Sequence, residues 1–223
     1  MRDISSVLII SGILLLLDAG VTLLWQEPVT AVVASIEQHN INKRFLSLRT
    51  APLTPVDRHA LFSLQGLDRR VAYLARRELH ELSTGDAIGR IVISKIAASY
   101  DVVQGTDSTS LEKGPGHYPA TALPGLGQTV AIAGHRTTYL APFRHIDALR
   151  PGDQIVVKMP YGEFTYVVEY RRIVLPTALW VTRNVGYDRL VLSACHPLYS
   201  AAKRIIVFAR LGSVVPLGAA RSV

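Results

Sequence analysis

Three hydropathic textures follow one another along the chain. Ile4 to Trp25, ISSVLIISGILLLLDAGVTLLW, is apolar with one charge, Asp18. As a helix its 22 residues rise roughly 33 Å at about 1.5 Å each, enough for a hydrocarbon core of about 30 Å. The run closes on Trp25-Gln26-Glu27-Pro28, an aromatic interface anchor followed by a helix stop. A cleaved leader would have a shorter apolar core and a small-x-small exit, so an uncleaved signal anchor over 1–27 is expected. Asp18 opposes it, because a carboxylate at mid-membrane costs about 2.5–3.5 kcal/mol. Seating near the outer headgroups, or protonation, relieves that cost; a buried helix of a soluble fold is the competing reading. Arg2 and the amino terminus are the only groups favouring an inside start.

Val29 to about Ser83 leans helical and grows charged, with Pro52 and Pro55 breaking any continuous helix. Leu61 to Leu82 reads as one amphipathic helix carrying Leu61, Leu64, Tyr73, Leu74 and Leu79. Residues 28–85 are therefore expected to form a helical stalk. From Ile88 the period shortens. IGRIVIS, AASYDVVQG, QTVAIAG, DQIVVKM, EFTYVVEYRRIVL, DRLVLSAC and KRIIVFARL are Val-, Ile- and Tyr-rich runs separated by Gly, Pro or Asp. Met159 to Glu163, MPYGE, is a candidate hairpin turn. Long helical connectors are missing between most runs, which disfavours a parallel βαβ sheet. The expected fold is mainly β: a mixed barrel of seven or eight strands with short helices over 86–213, leaving 214–223 as a tail.

Composition narrows the function. The 223 residues are 49% hydrophobic and 18% charged, which excludes a wholly disordered chain, and one cysteine excludes internal disulfides. The net charge of +7 comes from dispersed pairs such as Arg69-Arg70, Arg76-Arg77 and Arg171-Arg172. Nucleic-acid binding expects clustered Lys and Arg with interleaved aromatics, so no nucleic-acid partner is expected.

The lone cysteine, Cys195, closes the strand RLVLSAC and precedes His196-Pro197. A strand interior accepts Cys as a small hydrophobe, whereas a strand end beside a Pro-containing loop faces a cleft. A nucleophilic thiolate needs a neighbouring base or cation. His39, His59 and His80 fall in the stalk, His145 on a short helix, and His196 leaves an extended backbone on the face opposite Cys195. His135 ends the run QTVAIAGHR, again at a strand-to-loop junction. Arg204 opens the last run, nine positions after Cys195, where a guanidinium suits an oxyanion. Zinc held by Cys195, His196 and His135 is the alternative, but CxxC and HxxxH pairs are missing; no metal is expected.

AIAGHR (Ala131 to Arg136), LVLSAC (Leu190 to Cys195) and KRIIVFA (Lys203 to Ala209) together resemble the sortase transpeptidases. That family carries His after strand four, Cys at the end of strand seven in a TLxTC motif, and Arg at the start of strand eight. GPGHYPATALPG (Gly114 to Gly125), GHRTTYLAPF (Gly134 to Phe143) and Cys195-His196-Pro197 make the chain most similar to the class E sortases of high-GC Gram-positive bacteria. The TLxTC pattern reads Val191-Leu192-Ser193-Ala194-Cys195, so both threonines are replaced. Altered selectivity or rate is expected from that change, not loss of chemistry.

The resemblance implies Cys195 as nucleophile and thioester carrier, His135 as general acid and base, and Arg204 as brace for the oxyanion or the peptide. It implies no cofactor. Partners would be secreted proteins bearing a C-terminal LAxTG- or LPxTG-like sorting signal, with an amine of a peptidoglycan precursor as acceptor. The catalytic domain would lie outside a single-pass membrane anchor. Tyr118 is expected to wall a substrate pocket, and Ala194 to touch substrate through its backbone N–H. A pilin polymerase would use the same chemistry with a Lys acceptor, often under a lid; Asp57 and Phe62 could mimic its plug, but no DP[WFY] tripeptide precedes the barrel. A membrane-tethered scaffold with a buried Cys195 is the non-enzymatic alternative.

Overall fold

The computed structural model describes residues 2–24, 28–49 and 52–221. Its strands form where the sequence alternates. Among the described residues they are β1 (Ala87–Ile93), β2 (Ala98–Gln104), β3 (Gly116–His117), β4 (Thr129–Ala133), β5 (Gln154–Met159), β6 (Gly162–Val174), β7 (Arg189–His196) and β8 (Lys203–Pro216). They close into one barrel in the order β1-β2-β3-β4-β7-β8-β6-β5. β2–β3 and β4–β7 pair in parallel; the other neighbours are antiparallel. Met159 opposes Gly162 across a two-residue turn, Pro160-Tyr161, where the hairpin was expected. The barrel is thus the mixed, mainly β fold anticipated, with β3 as a strand too short for any hydrophobic period to reveal.

Period two sets the interior. Ile155, Val157 and Met159 of β5, and Phe164, Tyr166 and Val168 of β6, point inward to join Ile91, Ile132, Leu190, Leu192 and Val207. β7 is buried on both faces, because the β6–β7 connection covers its outer side. Leu190, Leu192 and Ala194 then lie inside, while Val191, Ser193 and Cys195 share the outside.

Residues 28–85 form α2 (Pro28–Arg49), α3 (Pro55–Ser63) and α4 (Leu67–Glu81). These helices lie against the barrel. Leu61 of α3 and Val71, Leu74 and Ala75 of α4 belong to its core. Ile41 and Phe45 of α2 pack with Ala87 and Val103, each such side chain contributing about 1.5–3 kcal/mol when fully buried. The single helix expected over Leu61–Leu82 is split: Leu64 is extended and Gly66 adopts φ +93°, a left-handed conformation open to glycine. The last residues also belong to the fold, since β8 runs to Pro216 and Ala220 is buried in the core.

α1 (Arg2–Leu24) leaves Ile4, Val7, Leu8, Ile9, Ile10 and Ile13 to Leu17 exposed. Among the described residues, no helix is long and apolar enough to cross a membrane. Trp25, Gln26 and Glu27, expected to close a span, lie outside the described residues.

Candidate active site

The antiparallel register of β7 and β8 sets Cys195 directly opposite Arg204. Side chains paired this way stand on one face with Cβ atoms about 4.5–5.5 Å apart. Arg204 is half-buried, and its Nη1 donates to the carbonyls of Ala201 and Lys203, each at 3.0 Å. Among the described residues no carboxylate pairs with it. A cation held only by two neutral carbonyls keeps donors for an anion arriving beside the thiol. Cys195 is half-buried and opens on a cleft of about 320 Å³, lined by Arg136, Thr137, Pro197, Tyr199, Ser200 and Ala201.

His135 reaches the same end of the barrel along β4. Ala133 pairs with Ser193, and the next residue, Gly134, continues the ladder by donating its N–H to Ser193 O at 3.0 Å. His135 therefore emerges level with Cys195. Gly134 is required: a Cβ there would lie 2.6 Å from the Phe143 ring, whose backbone N–H donates to His135 O at 2.9 Å. Burial pushes the His135 imidazole below its ordinary pKa, and the Glu112 carboxylate partly opposes it. Burial thus favours the neutral ring, the form that can accept a proton from a thiol. Tyr139 packs on it with ring centroids 5.3 Å apart. No hydrogen bond joins His135 to Cys195 among the described residues, and apo catalytic pairs commonly tighten only with substrate.

Below Cys195 the outer face of the sheet is covered by a second buried apolar cluster. Val191 and Ala131 of β7 and β4, with Ile206 and Phe208 of β8, make an apolar outer surface against which Tyr118 packs. Val181, from a 3-10 turn at Leu179–Thr182, roofs it. Ala194, by contrast, is 3% exposed and faces the barrel core, so its side chain stands away from the thiol's cleft.

Three buried polar residues around the site escaped sequence reasoning. Arg136, 3% exposed, is the keystone. It donates to Arg144 O from Nε and Nη2 (3.2 and 3.1 Å), to Asp147 Oδ1 (2.8 Å) and to Cys195 O (3.4 Å). Its Nη1 also stands 3.4 Å from His196 Nδ1, which must accept because a guanidinium only donates. One side chain thereby fastens the loop after His135 to the backbone of Cys195. Arg189, also buried, donates to Val181 O and Arg183 O (3.0 and 2.8 Å) and lies over the Phe208 ring, latching the roof. His117 is fully buried; its Nδ1 meets Gln104 Oε1 at 2.7 Å and its Nε2 meets Ala122 O at 2.9 Å, bracing the loop that carries Tyr118. The available signals were an Arg directly after Gly-His and an Arg inside an apolar strand. Among the described residues, no group of three or more His, Cys, Asp or Glu is placed to hold a metal ion.

Residues 91–212, more than half of the chain, match the sortase domain family. The chain belongs to the sortase family. Sortase D of Bacillus subtilis is 36% identical over 131 residues, 57% of this chain and 65% of that protein. The sortase SrtE1 of Streptomyces coelicolor is 28% identical over 152 residues, 61% of this chain but 43% of that protein. The matches thus span less than two thirds of either relative. Among solved structures, Streptomyces coelicolor sortase E1 with a tripeptide in its active site superposes with TM-score 0.58 at 26% identity, over 60% of this chain and 93% of that one. Sortase E from Streptomyces avermitilis gives 0.55 at 32% identity, over 62% and 99%. The resemblance to class E sortases is thus matched by these likenesses, with a class D relative beside them.

Proposed function

We propose that the chain is a membrane-anchored cysteine transpeptidase that cleaves a C-terminal LAxTG- or LPxTG-like sorting signal after its Thr and joins the protein to a cell-wall amine. The observation that carries the reading is the Cys195–Arg204 register pair, with His135 emerging level with it. The thiol proton passes to the neutral His135 ring, and the sulfur attacks the Thr carbonyl carbon. Arg204 stabilises the oxyanion that forms. The imidazolium then protonates the leaving amine, the C–N bond breaks and a thioester remains. An incoming amine, from a peptidoglycan precursor, loses a proton to His135 as it attacks, and the thiol is restored. Tyr118, half-buried, walls a pocket for a side chain of the signal.

The anchor reading rests on α1. A helix exposing Ile and Leu on every side has no stable place in water and suits hydrocarbon. Residues 1–27 are accordingly proposed as a single-pass anchor that leaves the barrel on the outer face, with 28–85 joining the two. Tethering enzyme, signal-bearing protein and lipid-linked acceptor at one surface raises their effective concentrations. A peptide-library cleavage assay on the full chain in detergent, with wild type beside Cys195→Ala, tests the reading. Cleavage confined to wild type and to Thr-Gly bonds supports it; equal cleavage by both, or none by either, rejects it.

A further inference from the structure

The loop after His135 contains a feature that a simple connection does not need. Tyr139, Leu140 and Ala141 stand consecutively at φ +49°, +63° and +42°, a left-handed turn made of three side-chain-bearing residues. Such a run persists only where its surroundings over-determine it, and such runs concentrate at functional sites. Hydrogen bonds from three directions hold it. Ala141 N–H donates to Thr138 O at 2.8 Å, Tyr100 of β2 donates its hydroxyl to Leu140 O at 3.2 Å, and Tyr139 N–H donates to Thr30 Oγ1 at 3.3 Å. The last clamp comes from α2, more than 100 residues away in sequence.

α2 is itself firmly docked. Ala34, Gln38, Ile41 and Phe45 recur at helical spacing on its buried face. The Gln38 amide donates to Asp101 O and Lys113 O (2.9 and 2.8 Å) and accepts from Asp101 N–H (2.7 Å). Gly114 makes room for it, since a Cβ there would collide with that amide. Asn42, one turn on, accepts from Arg90 Nη2 at 2.9 Å.

We propose that α2 is a positioning element for catalysis, whose docking through Gln38 and clamp through Thr30 hold Tyr139 against His135. The inference rests on His135 being the acid–base group of the proposed transpeptidase. Glu112 of α5 (Ser108–Lys113) is the charged group that acts on the ring, and α5 supplies one of the Gln38 acceptors, Lys113 O. α2 thereby couples the segment after α1 to the geometry of the active site.

The test uses the full chain in detergent and three variants: Thr30→Val, Thr30→Ser and Gln38→Leu. Two readouts are needed: steady-state transpeptidation of a sorting-signal peptide, and titration of the His135 imidazole by NMR with His135→Gln as assignment control. Thr30→Val and Gln38→Leu should lower kcat about tenfold with KM within about twofold, because misplacing a catalytic group affects the reacting geometry rather than binding. The same variants should raise the His135 midpoint toward about 6.5 as its burial loosens. Thr30→Ser, which keeps the hydroxyl, should match wild type. Unchanged kcat, or a fall in kcat with an unmoved His135 midpoint, overturns the inference. If wild type itself fails to turn over peptide, the proposed activity falls; the titration still reads the clamp.

Discussion

Arg136→Met is the substitution that probes most of the site at once. It keeps an unbranched apolar stem while removing every donor of a guanidinium that is 3% exposed. Two carbonyls, Arg144 O and Cys195 O, lose their charged donor. Leaving each unpaired costs about 1–3 kcal/mol. Asp147, whose side chain is 52% exposed, returns to water and adds little. The sum is about 2–6 kcal/mol, which for a chain of this size lowers Tm by roughly 10 °C. Because Cys195 is the one thiol in the sequence, its alkylation by iodoacetamide reports the site without ambiguity. Freed from Arg136, the Cys195 backbone should loosen and its alkylation rate rise several-fold. Arg136→Lys, keeping the charge but not the fork, should fall between Met and wild type. A Tm within about 2 °C of wild type, together with an unchanged alkylation rate in Arg136→Met, would refute the keystone role.

Two further predictions concern buried titratable groups. Burial holds His117 down at about 4. The unfolded chain therefore binds the extra proton first, so stability present above about pH 6.5 is lost as pH falls toward 4, by up to about 3 kcal/mol. Urea unfolding of His117→Gln should show a flatter loss than wild type between pH 7 and 4.5; parallel slopes would contradict the assignment. Glu78, on α4, has an oxygen that is buried without a hydrogen-bond partner, and burial pushes its carboxyl up to about 8. Here the folded state holds the proton more tightly, so stability declines as pH rises from about 4.5 through 8. Glu78→Gln should be more stable than wild type at pH 8.5 by about 3 kcal/mol after allowance for partial exposure, seen as a higher Tm, and match it near pH 4.5. An equal Tm at pH 8.5 would show that the carboxyl is solvated.

What could be read in advance, and what could not, follows from the range of the interactions. Strand runs announced themselves because one-sided burial enforces alternation within a few residues, as along Gln154–Met159. β3 did not, because two residues pair through backbone alone. Cys195 and Arg204 were legible as partners: both stand at the ends of antiparallel neighbours joined by a short loop. His135 was legible for the same reason one strand away. Arg136 and Arg189 were not singled out in the sequence, although each is buried and spends its donors on carbonyls of other segments. Nothing local distinguishes such an arginine from a solvated one. α2 looked like a connector because Gln38 reveals its role only beside Asp101 and Lys113, more than sixty positions later. Strand alternation sends the Ala194 side chain inward when Cys195 faces out, which leaves only its backbone for the substrate contact expected of it.

The central claim is that Cys195 carries an acyl group, and intact-protein mass spectrometry reads it directly. The full chain in detergent is mixed with a sorting-signal peptide, without acceptor amine, and quenched in acid. The account predicts a single adduct with the mass of the peptide up to and including Thr, located on Cys195, discharged by hydroxylamine, missing in Cys195→Ala and strongly reduced in His135→Gln and Arg204→Ala. An adduct on another residue, or peptide cleavage by Cys195→Ala at the wild-type rate, would contradict it.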